Sequence, residues 1–224
     1  LYSSWPADYK LRTHCLVLLW EVIKTLGEGI TVREALEVVN SKSPSSAPEL
    51  DGLSYQVYTL VPALMNLLVQ VCQWVLISGE VPAYIQCLLK KGKDKLLLES
   101  YQPISLICTD CKIFTGILAT QLQGVSGEIF GLEQMGYLKG RNTAMATLWV
   151  ADYFSRHNQA FPVLLDYEKA YDCVDHGWVD VCLTQAGVGP KLRRVLMALL
   201  CGMKSRLIVN GGLGEWFENG SGVR

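Results

Sequence analysis

The chain has 224 residues, of which 50% are hydrophobic and 18% are charged. This composition is sufficient to bury one substantial core, and it is not that of a disordered chain. The formal net charge is -1, so no global positive field attracts nucleic acid, and any site for a polyanion must be local.

The first half of the chain predicts helices separated by loops. A helix is expected within residues 1–29, and a second begins after Thr31, where Glu34 completes a capping box. Residues 41–50 are rich in serine and proline and predict a loop.

The apolar run from Leu60 to Ile77 has about the length of a membrane span. Its polar members Asn66, Gln70 and Gln73 share one helical face, however, with Pro62 in the first turn. This pattern favours an amphipathic helix packed on a core, and we expect no contact with a membrane.

A lysine cluster follows the apolar stretch that ends at Leu89. It contains Lys90, Lys91 and Lys93. A strand that ends in a basic, glycine-containing turn can present cations to phosphates, but a charge run is equally typical of a solvated surface, and the residues leave both interpretations open.

The eight cysteines are spaced irregularly and include one Cys-x-x-Cys pair, Cys108 and Cys111. A structural zinc site needs four ligands, and no second pair of cysteines or histidines follows. The pattern favours buried thiols in a reducing compartment, with zinc as the alternative. The pair opens a predicted helix of roughly three turns, "CKIFTGILATQLQG".

The middle of the chain alternates breaks with helices. The stretch "EQMGYLKGR" contains two glycines together with Lys139 and Arg141, and "NTAMATLWVADYFSRH" is helical again. The run "FPVLL" predicts a short buried strand that delivers Asp166 at its end. Asp172 and Asp175 follow and can cap the next helix or pair with lysines, so the residues alone leave open whether the acidic stretch binds a metal.

The last part of the chain predicts a helix and a hairpin. The helix starts at Pro190 and carries an apolar stripe at Leu192, Val195, Leu196 and Leu199. The stretch "SRLIVNGGLGEWFENG" predicts a β-hairpin with Asn210-Gly211 as its turn.

The acidic stretch "VLLDYEKAYDCVDH" resembles the first catalytic motif of the reverse transcriptases of non-LTR (LINE-type) retrotransposons. Four further stretches follow the order of that family: "DGLSYQVY", the fingers strand, basic turn and helix from "LLKKGKDK" to "ILATQL", "EQMGYLKGR", and "VNGGLGEWFENGSGVR". The resemblance covers roughly residues 30 to 224.

The resemblance implies an α+β fold, the fingers and partial palm of a right-hand polymerase with a helix-rich N-terminal portion. It implies a helical extension or linker over residues 1–45 and a partial reverse transcriptase domain over residues 46–224. The complete enzyme would transfer a dNTP to a DNA primer on an RNA template, using Mg²⁺ in two-metal phosphoryl transfer. A functional element would work in the nucleus.

The resemblance also implies roles for individual residues. Asp166 would be catalytic and ligate metal together with the backbone carbonyl of Tyr167, and Tyr171 would lie under the incoming sugar and exclude a 2′-hydroxyl. The basic residues would bind the nucleotide (Lys90, Lys91 and Lys93) or the nucleic acid (Lys139, Arg141 and Arg224).

The chain also departs from the family pattern. Gln102 stands where the family usually has an arginine, and no aromatic-Ala-Asp-Asp motif with the remaining metal carboxylates is present. We therefore expect this polypeptide alone to be inactive. The alternatives are a non-catalytic nucleic-acid-binding remnant and a helical interaction module.

Overall fold

The computed structural model describes residues 29–43, 52–78, 84–89, 94, 101–157, 159, 161–201, 204–209, 212–218 and 220–222. Most of the first predicted helix and of the loop 41–50 lies outside them. The described helices are α1 (Val32–Asn40), α2 (Tyr55–Leu60), α3 (Pro62–Ser78), α4 (Thr109–Ile129), α5 (Thr143–Arg156), α6 (His176–Gln185) and α7 (Pro190–Cys201). The described strands are β1 (Tyr84–Leu89), β2 (Tyr101–Leu106), β3 (Lys204–Val209) and β4 (Gly212–Glu218).

Helix α1 begins with the predicted capping box. The Thr31 N–H donates to the Glu34 carboxylate at 2.9 Å, and the Glu34 N–H donates to the Thr31 hydroxyl at 3.3 Å. The apolar face of α1 packs on α4 at Gly116, where a Cβ atom would lie 2.8 Å from a methyl group of Val38. The small residue thus lets the two helices approach closely.

Helix α3 is amphipathic, as its polar spacing predicts. Pro62 lies in its first turn, and Asn66, Gln70 and Gln73 are exposed. A neighbouring face is buried and contributes Met65, Leu68, Val69 and Cys72 to the core, whereas the apolar residues Leu67, Val71 and Trp74 are exposed. Among the described residues, no helix is long and apolar enough to span a membrane.

Helix α4 is longer than the predicted three turns. It runs over 21 residues and continues through Gly124 and Gly127. A glycine inside a helix costs only about 1 kcal/mol, and the buried side chains of Ile117 and Val125 show that packing continues past the first predicted break.

One core joins α1, α3, α4 and α7. The apolar stripe of α7 is confirmed, with Leu192, Val195 and Leu199 buried. Helices α5 and α6 have no buried residues. The elements that carry the candidate site therefore lie around this core and not within it.

The sheet has the strand order β2-β1-β3-β4. Strands β1 and β3 are parallel, and both outer pairs are antiparallel. The predicted hairpin is confirmed by the pairing of Val209 with Gly212, although the turn residues themselves lie outside the described part of the chain. Pro103 lies in the outer strand β2, where a proline is tolerated.

Candidate functional site

Asp166 lies on an exposed segment without regular secondary structure and not at the end of a strand. Residues 161–167 have no regular secondary structure, and Leu164 and Leu165 are 94% and 87% exposed. The prediction of a buried strand at "FPVLL" is therefore wrong, because the four described strands pair with one another and this segment joins none of them. Asp166 is instead held at the surface, directly before a turn.

That turn covers residues 168–173 and is called the tyrosine turn here, because Tyr171 lies within it. The carbonyl of Lys169 accepts the N–H groups of Asp172 at 2.9 Å and Cys173 at 3.1 Å. Lys169 has a φ of 52°, a left-handed conformation that costs an L-residue about 1–2 kcal/mol. The two hydrogen bonds offset that cost and hold Tyr171 in a compact turn, where its side chain stays exposed.

Asp175 caps the helix that follows the tyrosine turn. Its Oδ1 atom accepts the Trp178 N–H at 2.7 Å, and α6 begins at His176. The prediction that Asp175 caps the following helix is therefore confirmed.

Residues 220–222, called the docked segment here, bind the tyrosine turn and its continuation. The Gly222 N–H donates to the Val174 carbonyl at 2.9 Å, and the Ser221 hydroxyl donates to the Asp172 carbonyl at 3.0 Å. The His176 Nε2 atom lies 2.7 Å from the Gly222 carbonyl. Since a carbonyl only accepts, Nε2 must carry the proton in this contact.

The docked segment makes its closest approach to the tyrosine turn at Gly222, a position that favours glycine. Gly222 has a φ of 90°, and a Cβ atom there would lie 3.1 Å from the Cα and carbonyl oxygen of Asp172 and from the carbonyl oxygen of Tyr171. Main-chain atoms cannot move aside as a flexible side chain can. A side chain at position 222 would therefore force the two main chains apart by a few tenths of an ångström.

A second segment reaches the tyrosine turn through Tyr137. The rings of Tyr137 and Tyr171 meet edge to face, with centroids 6.2 Å apart and an interplanar angle of 89°. A hydrogen bond with Tyr137 raises the pKa of Tyr171 above its ordinary value. The stretch "EQMGYLKGR" and the acidic stretch are thus neighbours in space.

The side chain of Gln123 in α4 forms hydrogen bonds with the loop that carries Tyr137. The Gln123 amide donates to the Tyr137 carbonyl at 2.6 Å and accepts the Lys139 N–H at 3.0 Å. One amide can make both bonds because it holds a donor and an acceptor side by side. The Lys139 side chain remains exposed.

Arg141 closes the same loop. Its guanidinium donates to the carbonyls of Gly131, Gln134 and Phe130. Three of its five N–H groups are thus used within the loop, and the predicted contact of Arg141 with a nucleic acid stays a prediction.

The remaining predicted basic residues, Lys90, Lys91, Lys93 and Arg224, lie outside the described residues. Gln102 is described by its backbone alone, which pairs with Leu88 in the sheet. Of the predicted site residues, the structure describes Asp166, Tyr167, Tyr171, Lys139 and Arg141 in full.

The Cys-x-x-Cys pair gives no sign of a zinc site. Among the described residues, no three histidine, cysteine, aspartate or glutamate side chains cluster as metal ligands. Burial, and then the charge of Asp110, raises the pKa of Cys111 to about 12. Cys72 is buried as predicted, but Cys173, Cys182 and Cys201 are exposed, so the prediction of buried thiols holds only in part.

Four residues of this site were not singled out by the sequence. Tyr137 and Gly222 stand inside recognisable motifs, so the motifs themselves were the available signal. Gln123 acts through two hydrogen bonds with main-chain atoms, and His176 acts through one. A glutamine on a helix face carries no local signal that distinguishes such a contact from solvent exposure.

The chain belongs to the reverse transcriptase family. The family model described as "Reverse transcriptase (RNA-dependent DNA polymerase)" matches residues 88–224, which is more than half of the chain. This range contains β2, the loop that carries Tyr137, the tyrosine turn and the docked segment.

A curated relative places the chain among transposon proteins. It is similar to the "Transposon TX1 uncharacterized 149 kDa protein" of Xenopus laevis, with 28% identity over 210 residues. The match covers 87% of this chain and 16% of the relative. The predicted resemblance is confirmed: the chain is part of a retrotransposon reverse transcriptase domain, and it spans about a sixth of the length of that relative.

Proposed function

We propose that residues 46–224 form the fingers and the first part of the palm of an RNA-directed DNA polymerase. Residues 1–45 are an N-terminal extension whose helix α1 packs against α4. One observation carries this proposal. Three motif-bearing stretches that are far apart in the sequence meet at the tyrosine turn, through the Tyr137–Tyr171 ring contact and the docked segment.

Asp166 and the backbone carbonyl of Tyr167 are the proposed metal ligands. Carboxylate and carbonyl oxygens are hard ligands of the kind that Mg²⁺ prefers. Bound Mg²⁺ would stabilise the attacking and leaving oxygens of the phosphoryl transfer. Because the described residues contain no cluster of three ligands, further carboxylates must come from outside them.

Tyr171 is the proposed selector of the sugar. It lies on a turn directly after Asp166, and its ring is 56% exposed, so it is accessible to a nucleotide bound at the metal ligands. A ring beneath the sugar leaves room for a 2′-hydrogen but not for a 2′-hydroxyl. The proposed substrate is therefore a dNTP.

The basic residues are proposed to hold polyanions. Lys90, Lys91 and Lys93 would bind the triphosphate or the template backbone, and Lys139, Arg141 and Arg224 would bind the RNA template or DNA primer. Lys139 is exposed beside the Tyr137 loop, and Arg141 keeps two N–H groups beyond its three loop bonds.

Primer extension tests the proposed function. The assay compares the 224-residue chain with the complete reading frame that contains it, on an RNA template with a DNA primer. We expect incorporation of dNTPs by the complete reading frame and none by the 224-residue chain alone. Asp166→Asn should lower the rate by about 100-fold or more, since even changes to residues behind a metal ligand cost about 10–100-fold.

Glu168→Gln is the matched control, because it removes the same charge from an exposed residue of the same stretch. It should retain most of the activity. Equal rates for the Asp166 and Glu168 variants would refute the assigned role of Asp166.

A further inference from the structure

The contact between Tyr137 and Tyr171 joins two otherwise exposed rings. Tyr137 is 84% exposed and Tyr171 is 56% exposed, so neither ring is enclosed by the core and the contact between them restricts both. Edge-to-face geometry at 6.2 Å is a favourable arrangement for two aromatic rings. The position of the Tyr171 ring therefore depends on where Tyr137 is held.

The position of Tyr137 is fixed through its main-chain atoms. It has a φ of 61°, a conformation that L-residues rarely adopt. The Gln123 amide donates to the Tyr137 carbonyl and accepts the Lys139 N–H, two residues further along the chain. Since Gln123 belongs to the long helix α4, the strained loop is fixed to a rigid element of the core.

We propose that Tyr137 is a positioning residue for Tyr171 and that, anchored by Gln123, it determines how strictly the site selects deoxyribose over ribose. The inference rests on the proposed function, in which Tyr171 excludes the 2′-hydroxyl. Tyr137 would act through its contact with Tyr171. Its effect is to restrict the directions in which the selecting ring can tilt away from a ribose.

Two variants of Tyr137 separate the ring from its hydroxyl. Tyr137→Ala removes the edge-to-face partner, and we expect the ratio of kcat/KM for a dNTP to that for the matching rNTP to fall on the order of threefold to tenfold. Tyr137→Phe keeps the ring and should retain most of the ratio. Gln123→Ala should act like Tyr137→Ala, because it releases the loop.

The measurement is primer extension by the complete reading frame with both nucleotides. Tyr153→Ala is the matched control, since Tyr153 is an exposed tyrosine of α5 that packs on Phe154 and His157. A merely structural role for Tyr137 would lower dNTP and rNTP use together and leave their ratio unchanged, which would overturn the inference. If Tyr171→Ala also leaves the ratio unchanged, the proposed role of Tyr171 fails with it.

A spectroscopic measurement on the 224-residue chain tests the contact without any activity. A fluorinated tyrosine at position 171 reports the titration of that phenol by fluorine NMR. The hydrogen bond with Tyr137 raises the pKa of Tyr171, so we expect the value to fall when Tyr137 is replaced by phenylalanine. The same spectra report the ring contact, since removal of the Tyr137 ring should shift the fluorine resonance of residue 171. An identical fluorine resonance in the Tyr137→Ala variant would overturn the inference, whatever the outcome of primer extension.

Discussion

Replacement of Gly222 by alanine is the sharpest test of how the docked segment is held. The new Cβ atom would lie 3.1 Å from three main-chain atoms of Tyr171 and Asp172, whereas favourable contacts of this kind lie at about 3.5–4.0 Å. The left-handed φ of 90° adds about 1–2 kcal/mol for a residue with a side chain. Loss of the hydrogen bond to Val174 adds about 1 kcal/mol, so we expect docking to weaken by roughly 2–3 kcal/mol.

Hydrogen exchange, read by mass spectrometry, measures this effect at the junction itself. A loss of about 2–3 kcal/mol corresponds to a roughly 30- to 150-fold faster exchange of the amide at position 222. Peptides that contain the tyrosine turn should exchange faster as well, because the hydroxyl of Ser221 no longer reaches the Asp172 carbonyl.

Two glycines of the same chain provide matched controls. Gly220 lies two residues away with no atom within 4 Å of an added Cβ, so Gly220→Ala should leave the junction intact. Gly140 has a φ of 80° and equally open space, so Gly140→Ala reports the conformational cost alone, about fivefold to 30-fold faster exchange of the Arg141 amide. If Gly222→Ala costs no more than Gly140→Ala, the reasoning from close main-chain contact is refuted.

Two further predictions concern the exposed segment and the buried thiols. Leu164→Ala should change the free energy of unfolding in urea by less than about 0.5 kcal/mol, because Leu164 is 94% exposed. Ile117→Ala, at a fully buried position, should lower that free energy by about 2–5 kcal/mol. A loss above about 1.5 kcal/mol for Leu164→Ala would instead support the buried strand. Burial raises the pKa of Cys72 to about 12 from 9.0, so above pH 9 the unfolded thiol loses its proton while the folded thiol keeps it. The stability that Cys72 contributes is therefore fully present below pH 9 and is lost as the pH rises from 9 to 12, so Cys72→Ala should lose less stability over this range. A urea midpoint with the same pH dependence in both proteins would contradict this.

The fold was predictable where the signal was local. The capping box of Thr31 and Glu34, the helix that begins at Pro190, and the β3–β4 hairpin each depend on residues a few positions apart, and all three are confirmed. The strand expected at "FPVLL" is different, because an apolar run becomes a strand only if another strand pairs with it. No short window of sequence contains that partner.

The candidate site divides in the same way. Asp166 and Tyr171 were found because they stand in a motif with fixed spacing. The contacts that arrange them, from Gln123 to Tyr137 and from His176 to Gly222, join positions 14 and 46 residues apart. Such pairs are set by tertiary packing, and the identity of either residue alone does not reveal them.

The contacts of the docked segment determine which substitutions this region can tolerate. All three hydrogen bonds at the junction are accepted by main-chain carbonyls, those of Asp172, Val174 and Gly222. Because any residue supplies a carbonyl, the side chains at 172 and 174 can change without losing these bonds. Neutral substitutions should therefore accumulate at positions 172 and 174, whereas replacement of Gly222, Ser221 or His176 removes or strains a contact of the junction.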